Sequence, residues 1–234
     1  MPQITSVEPQ KKNPGRYNIF LDGTFVFGAD EDLVVNCRLV VGKNLQPQDV
    51  EKLLFEAEVG KLMERMYGLF SIRQRSEWEV RDYLKRLSFK RKIRTSDRNR
   101  RTLRPSPLKD QDEISQAAVD LLVERLRKKG MVDDLGFARS WVEARRRSKQ
   151  KGKTALKAEL YQKGIDREII EEVISEQSTA EGEEELAKQA LEKKMRAWKN
   201  LEPREKKQKA IEFLMRKGFE YEIIRPVVEK FMGK

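Results

Sequence analysis

The tightest constraint on the fold is a unit that the chain uses more than once. Leu156 to Ile174 reads as helix, glycine stop, helix. Leu156 and Leu160 lie one helical turn apart and share a face. Lys163-Gly164 ends that helix, because glycine accepts the left-handed conformation at no steric cost. Asp166 is placed to cap a second helix, and Ile169, Ile170, Val173 and Ile174 form its apolar stripe. The same pattern returns 54 residues later: Leu214-Met-Arg-Lys-Gly218-Phe219, then Glu222-Ile-Ile-Arg-Pro-Val-Val. A weaker copy precedes both, Trp78 to Phe89, where Leu84 matches Leu160 and Ser88 stands in the glycine's place. A supersecondary unit repeated at this scale stacks on its neighbours, each covering the next one's apolar face.

Composition agrees with thin cores. Apolar and charged residues each make up 38% of the 234 residues, and the charged share is well above the ~25% of an average globular chain. One cysteine, Cys37, excludes an internal disulfide, and no apolar run approaches the ~20 residues of a membrane span. With no signal-peptide segment at Met1, the expectation is a soluble, cytoplasmic, monomeric protein. Histidine is absent, which removes the commonest general base and transition-metal ligand. Gly42-Lys43 lacks the upstream glycine of a phosphate loop. Asp133-Asp134 could suggest metal-assisted hydrolysis, but no further ligands follow at a suitable spacing, so a helix N-cap is the better reading. No catalytic residue, metal site or cofactor is expected.

Charge is uneven. The net +11 divides into −3 over residues 1–60, +1 over 61–84, +14 over 85–157 (23 basic against 9 acidic) and −1 over 158–234. So concentrated a field implies a polyanionic partner or an acidic protein groove.

In chain order, residues 1–45 predict a small β element. Tyr17 to Leu21 and Thr24 to Phe27 flank Asp22-Gly23, a strong two-residue hairpin signal. Leu33-Val-Val and Leu39-Val-Val add a strand or a short helix. Residues 46–134 form a first helical repeat, with helices over about 48–71 and 76–87 and a basic insertion at about 89–112. From Lys85 to Lys109 there are eleven basic residues against one acid. That composition predicts a loose loop, whose Arg91, Lys92, Arg94, Arg98, Arg100, Arg101 and Arg104 make an auxiliary phosphate-contacting arm. A second repeat spans 135–177. A polar, acidic connector runs from Ser175 to Glu185, and a third repeat spans 186–232, interrupted at Pro203, with Pro226 in the first turns of the last helix. The densest ordered basic patch is Arg145, Arg146, Arg147, Lys149, Lys151 and Lys153. Consecutive helical residues point about 100° apart, so one or two of these support the fold and the rest face a partner. Trp141 reads as core.

Taken in order, Arg73-Gln-Arg-Ser76-Glu-Trp-Glu-Val-Arg-Asp-Tyr-Leu84, Gly130-Met-Val-Asp133-Asp134-Leu-Gly-Phe137-Ala138, Lys151-Gly152 and Leu160-Tyr-Gln-Lys-Gly164-Ile165 resemble the RecX regulatory proteins. Arg16-Tyr-Asn-Ile-Phe-Leu-Asp-Gly23 resembles the N-terminal extension of some members. The resemblance covers roughly residues 4–230. The chain departs from the pattern in its long basic insertion, in Ser88 and in Pro203. The resemblance implies a mainly α fold of tandem three-helix repeats in a curved array. It implies a function as well: binding RecA and its DNA filament, lying in the filament groove, and inhibiting ATP hydrolysis, strand exchange and co-protease activity. Residues alone leave open a stand-alone nucleic-acid-binding protein working through phosphate contacts, and, far less favoured, a nuclease.

Overall fold

The computed structural model describes residues 1–11, 13–98 and 114–232, the side chains of 89–98 excepted. The chain is mainly α-helical, with a small N-terminal sheet. It divides into two compact units, Met1–Gln74 with Val80–Val132, and Arg75–Glu79 with Asp133–Lys234.

In the first unit, strands β1 (Ile4–Gln10), β2 (Asn13–Leu21) and β3 (Thr24–Asp30) form an antiparallel meander. Asp22 (φ 48°) and Gly23 (φ 79°) make the two-residue turn that Asp-Gly predicts. Asp30 then caps a short helix α1 (Glu31–Asn36), its side chain accepting from the Leu33 amide at 2.8 Å. Of the two readings left open for Leu33–Val35, the helix holds. A sheet this small needs a partner layer, and the long helix α2 (Pro47–Phe70) supplies it: Leu53 and Ala57 close over Ile4, Ile19, Leu21, Phe27 and Ala29. Further along α2, Val59, Leu62, Met63 and Met66 enter a separate core. There they meet Val80 and Leu84 of α3 (Glu77–Arg98) and Ala118, Leu122 and Leu126 of α4 (Gln116–Lys128). Met63 and Met66 are thus core residues.

The second unit holds six α-helices among the described residues, besides the first turn of α3 and a short 3-10 helix at Arg196–Trp198. Helices α5 (Asp134–Lys149), α6 (Lys153–Gln162) and α7 (Arg167–Gln177) enclose Phe137, Ala138, Val142, Leu156, Leu160 and Ile170. Helices α8 (Ala180–Met195), α9 (Pro203–Arg216) and α10 (Tyr221–Met232) enclose Ala190, Leu191, Leu214, Phe219, Ile224 and Val228. Gly164 (φ 70°) and Gly218 (φ 85°) end α6 and α9 in the left-handed conformation that the repeated Lys-Gly signal predicts.

Five expectations need correction. Helix α3 does not stop at Leu87: it continues to Arg98, because arginine and lysine are good helix formers and no glycine or proline intervenes before Pro105. Ser88 is therefore a helical residue, its Oγ accepting from the Ile114 amide at 3.2 Å. The acidic stretch is not a connector either. Only Ser178 and Thr179 separate α7 from α8, and Glu181 and Glu183 fall in the first turn of α8, where the helix dipole favours acids. Asp166 occupies the N-cap of α7 without a side-chain hydrogen bond. Pro226 lies in the second turn of α10, beyond the first-turn positions where a missing N–H is free of cost. Trp141 is half-buried at the rim of the core rather than within it.

Candidate functional site

The cationic patch starts in the last turns of α5. Asp133 caps this helix, accepting from the Gly136 amide at 3.0 Å, so Asp133 acts as the cap the sequence suggests. Asp134 is engaged as well, accepting from the Glu77 amide at 2.8 Å. At the other end Gln150 takes the left-handed conformation (φ 43°) and turns the chain into Lys151-Gly152 and α6.

The three arginines diverge as their 100° spacing requires. Arg145 stacks its guanidinium 4.2 Å over the Trp141 ring and donates through Nε to Glu159 at 2.8 Å. Trp141 Nε1 donates to the same carboxylate oxygen at 2.8 Å, and Lys151 Nζ donates to the other oxygen. Burial pushes the Glu159 carboxyl up, but the three hydrogen bonds from Lys151, Trp141 and Arg145 outweigh it and hold the group below its ordinary value.

Arg146 points the opposite way, into the junction with α8. Its Nη2 lies 2.6 Å from Glu183, and it also donates to the Gln177 carbonyl and the Ser178 hydroxyl. The two side chains are 14% and 4% exposed. Burial lowers the Arg146 pKa and raises that of Glu183, in each case opposed by the partner's charge. Arg147 points to solvent and pairs with Glu143, one turn back, at 2.5 Å. Lys149 is exposed, and its carbonyl accepts from Lys217 Nζ. Lys153 pairs with Glu220 at 2.5 Å, and its amide donates to Glu183 at 3.2 Å.

Of the six residues expected to face a partner, four are therefore held by carboxylates: Arg145 and Lys151 by Glu159 of α6, Arg146 by Glu183 of α8, and Lys153 by Glu220 just before α10. Arg147 and Lys149 alone of the six are exposed. Of the auxiliary arm, Arg91, Lys92, Arg94 and Arg98 belong to the α3 backbone, while their side chains, with Arg100, Arg101 and Arg104, lie outside the described residues.

Two of these pairs, Arg146–Glu183 and Lys153–Glu220, fasten the second repeat to the third, whereas Arg145 and Lys151 meet Glu159 within the second. Backbone hydrogen bonds join Gly152 N to Lys217 O (3.0 Å) and Thr154 N to Gly218 O (3.1 Å). This approach requires glycine at 152, since a Cβ there would sit 2.5–2.6 Å from Gly218 and Phe219 backbone atoms. It also brings together a lysine group that charge density along the chain does not reveal. Lys193 Nζ reaches Gln150 Oε1 at 3.3 Å, and Lys194 and Lys217 lie 5.8 and 5.5 Å from the Phe213 ring centroid. One signal was available: Lys163 and Lys217 occupy the same position of the repeat. Yet Lys163 pairs with Glu79 at 2.6 Å, whereas lysines surround Lys217. Among the described residues no three acidic or cysteine side chains gather as a metal site would need, and no helix is long and apolar enough to cross a membrane.

Comparison with known proteins follows these elements. Residues 2–46, 133–174 and 182–228 match, in turn, the regulatory protein RecX N-terminal domain and the second and third three-helix domains of RecX. The regulatory protein RecX of Bacillus subtilis is 32% identical over 98% of this chain and 77% of its own length. That of Bacillus pumilus is 33% identical over 98% and 78%. A crystal structure of a regulatory protein RecX superposes with a TM-score of 0.70 at 26% identity, over 97% of this chain and 98% of that one. RecX from Lactobacillus salivarius shares the fold at a TM-score of 0.55, over 74% of this chain and 95% of that one. With its sheet, its three-helix repeats and its ordered motifs matched across nearly its full length, the chain belongs to the RecX family of regulatory proteins.

Proposed function

We propose that this chain regulates RecA by binding the RecA–DNA filament and lowering its ATP hydrolysis, strand exchange and co-protease activity. It acts by occupancy rather than catalysis, as a cytoplasmic monomer. The observation that carries this reading is membership of a family of regulatory proteins, taken with a cationic surface built on helical repeats joined by hydrogen bonds and ion pairs. A filament carrying DNA is a polyanionic polymer, and a tied pair of repeats presents its charges to such a target at fixed spacing. Electrostatic attraction speeds the encounter, while close packing sets the residence time.

Steady-state RecA ATPase on single-stranded DNA, titrated with this chain, tests the proposal, alongside co-sedimentation with preformed filaments. Inhibition should saturate as the chain co-sediments. Arg147→Glu with Lys149→Glu should weaken both by about tenfold, since each is exposed and each reversal adds repulsion. Unchanged ATPase at micromolar concentrations of the chain overturns the proposal. Co-sedimentation with faster hydrolysis keeps the partner and reverses the direction of regulation.

A further inference from the structure

We propose that the ends of α5, α8 and α9 form a phosphate-binding site for the sugar–phosphate backbone of a nucleic acid, built from Lys149, Lys193, Lys194 and Lys217. The site goes beyond the RecA reading and does not rest on it, because its ligand is DNA alone.

Four contacts place the four lysines together. Lys217 Nζ donates to the Lys149 carbonyl, Lys193 Nζ lies 3.3 Å from Gln150 Oε1, and Lys194 and Lys217 approach one ring, Phe213. None of the four pairs with a carboxylate among the described residues. This sets them apart from Arg145, Arg146, Lys151 and Lys153, which all do.

Lysines in the last turn of a helix have an ordinary explanation, since they complement the negative end of the dipole. The magnitudes decide against that as the whole account. Three helix ends supply about −0.5 charge each, roughly −1.5 in total. Four unpaired ammonium groups supply +4 and leave an excess of about 2.5 positive charges. The group pressed hardest is Lys217, whose pKa is lowered first by burial and then by the charges of Lys193, Lys151, Lys194 and Lys149, all positive. A bound phosphate relieves that repulsion.

The ligand chemistry follows from what the site offers. It presents ammonium groups as point charges, with no arginine fork for a planar carboxylate among its four members. Phe213 has Lys194 and Lys217 over its ring, and Trp198 meets it edge-on at 5.9 Å. Its face is therefore not free for a base, and recognition is confined to phosphates and independent of sequence. Lys193 and Lys194 are exposed and adjacent on α8, so one helix end can meet consecutive phosphates.

The test is fluorescence anisotropy of a labelled mixed-sequence single strand with the full chain, from about 50 to 200 mM salt. Lys193→Gln with Lys194→Gln should lower the slope of log affinity against log salt by about 1.4, at about 0.7 for each phosphate no longer neutralised. Near 0.1 M salt that amounts to a tenfold or greater fall in affinity. Both side chains are exposed, so the fold persists, and near-ultraviolet circular dichroism checks it. Lys193→Arg with Lys194→Arg should retain most of the affinity. Arg204→Gln with Lys207→Gln removes the same charge about 15–20 Å along α9 and serves as control. It should leave the slope nearly unchanged. An unchanged slope in the α8 variant, an equal fall in the control, or no binding of DNA overturns the site. So does polyglutamate binding where DNA does not, an outcome that assigns the lysines to an acidic polypeptide.

Discussion

Removing Arg146 gives the most quantitative test of how the second and third repeats are joined. Glu183 is 4% exposed, and its nearest counter-charge is Arg146 at 2.6 Å. In Arg146→Met the carboxylate loses that charge while its surroundings stay dry, so it must take up a proton. This option limits the cost. Keeping a carboxyl of ordinary pKa 4.5 neutral costs about 1.4 kcal/mol for each pH unit above that value. The loss is then at most about 3.4 kcal/mol near pH 7 and at most about 0.7 kcal/mol near pH 5, because the raised pKa of Glu183 in the parent already carries part of that cost. Loss of the hydrogen bonds to Gln177 and Ser178 adds about 1 kcal/mol at either pH. The direction follows from linkage. The unfolded chain ionises Glu183 above pH 4.5, whereas the folded variant holds the proton. Raising the pH therefore favours unfolding until the folded pKa is passed.

The assay is urea unfolding followed by tryptophan fluorescence. All three tryptophans, Trp78, Trp141 and Trp198, lie in the unit that contains this pair, so the signal reports that unit. The variant should lose up to about 4 kcal/mol near pH 7 and clearly less near pH 5. Arg146→Met with Glu183→Leu should return to within about 1.5 kcal/mol of the parent, because an apolar pair replaces two charges that burial disfavours. Equal losses at both pH values would refute the reasoning, as they would mean that Glu183 swings out to water and stays ionised.

The other predictions concern the supports around this junction. Glu159→Gln should cost about 2 kcal/mol at neutral pH by weakening three charge-assisted hydrogen bonds. Because the folded-state pKa of Glu159 is depressed, that contribution is full above about pH 4.5 and fades as pH falls through the lowered value. An acid titration of parent and variant should therefore converge. Gly152→Ala should lose about 2 kcal/mol or more through overlap with the Gly218 and Phe219 backbone, read as an earlier fluorescence transition in urea. Ser76→Ala should lose about 1–2 kcal/mol in the same unit. This fully buried hydroxyl donates to the Lys163 carbonyl at 2.6 Å and accepts from the Glu79 amide at 3.2 Å. Hydrogen exchange at the start of α3 should quicken accordingly.

Much of the fold is legible from local chemistry. Asp22-Gly23 demands a two-residue turn, Gly164 and Gly218 demand helix stops, and spacing marks Leu156, Leu160 and Ile170 as one face. Each of these signals is complete within a few residues. The sequence misleads where one signal has a stronger competitor. The run of arginine and lysine from Lys85 onward reads as a loop on grounds of charge, but helix propensity carries α3 to Arg98. Glutamates after Ser175 read as a linker, although acids are what the first turn of α8 favours. The matched motifs reveal the family, because their order spans most of the chain.

The site is legible only in part, for a reason that applies to charged helical repeats in general. Periodicity tells which residues share a face, but an ion pair between helices depends on two sequence positions at once. Arg145 meets Glu159 across 14 residues, and Arg146 meets Glu183 across 37. No local pattern sets those distances. A density of positive charge therefore overstates the surface offered to a partner, since the residues that join repeats are drawn from the same stock. What distinguishes an interface from a fastener is the absence of a counter-charge. Among the described residues Lys193, Lys194 and Lys217 meet that condition, although they sit in a segment whose net charge is −1. Segment totals conceal them for that reason, and the packing of Gly152 on Gly218 brings them beside Lys149.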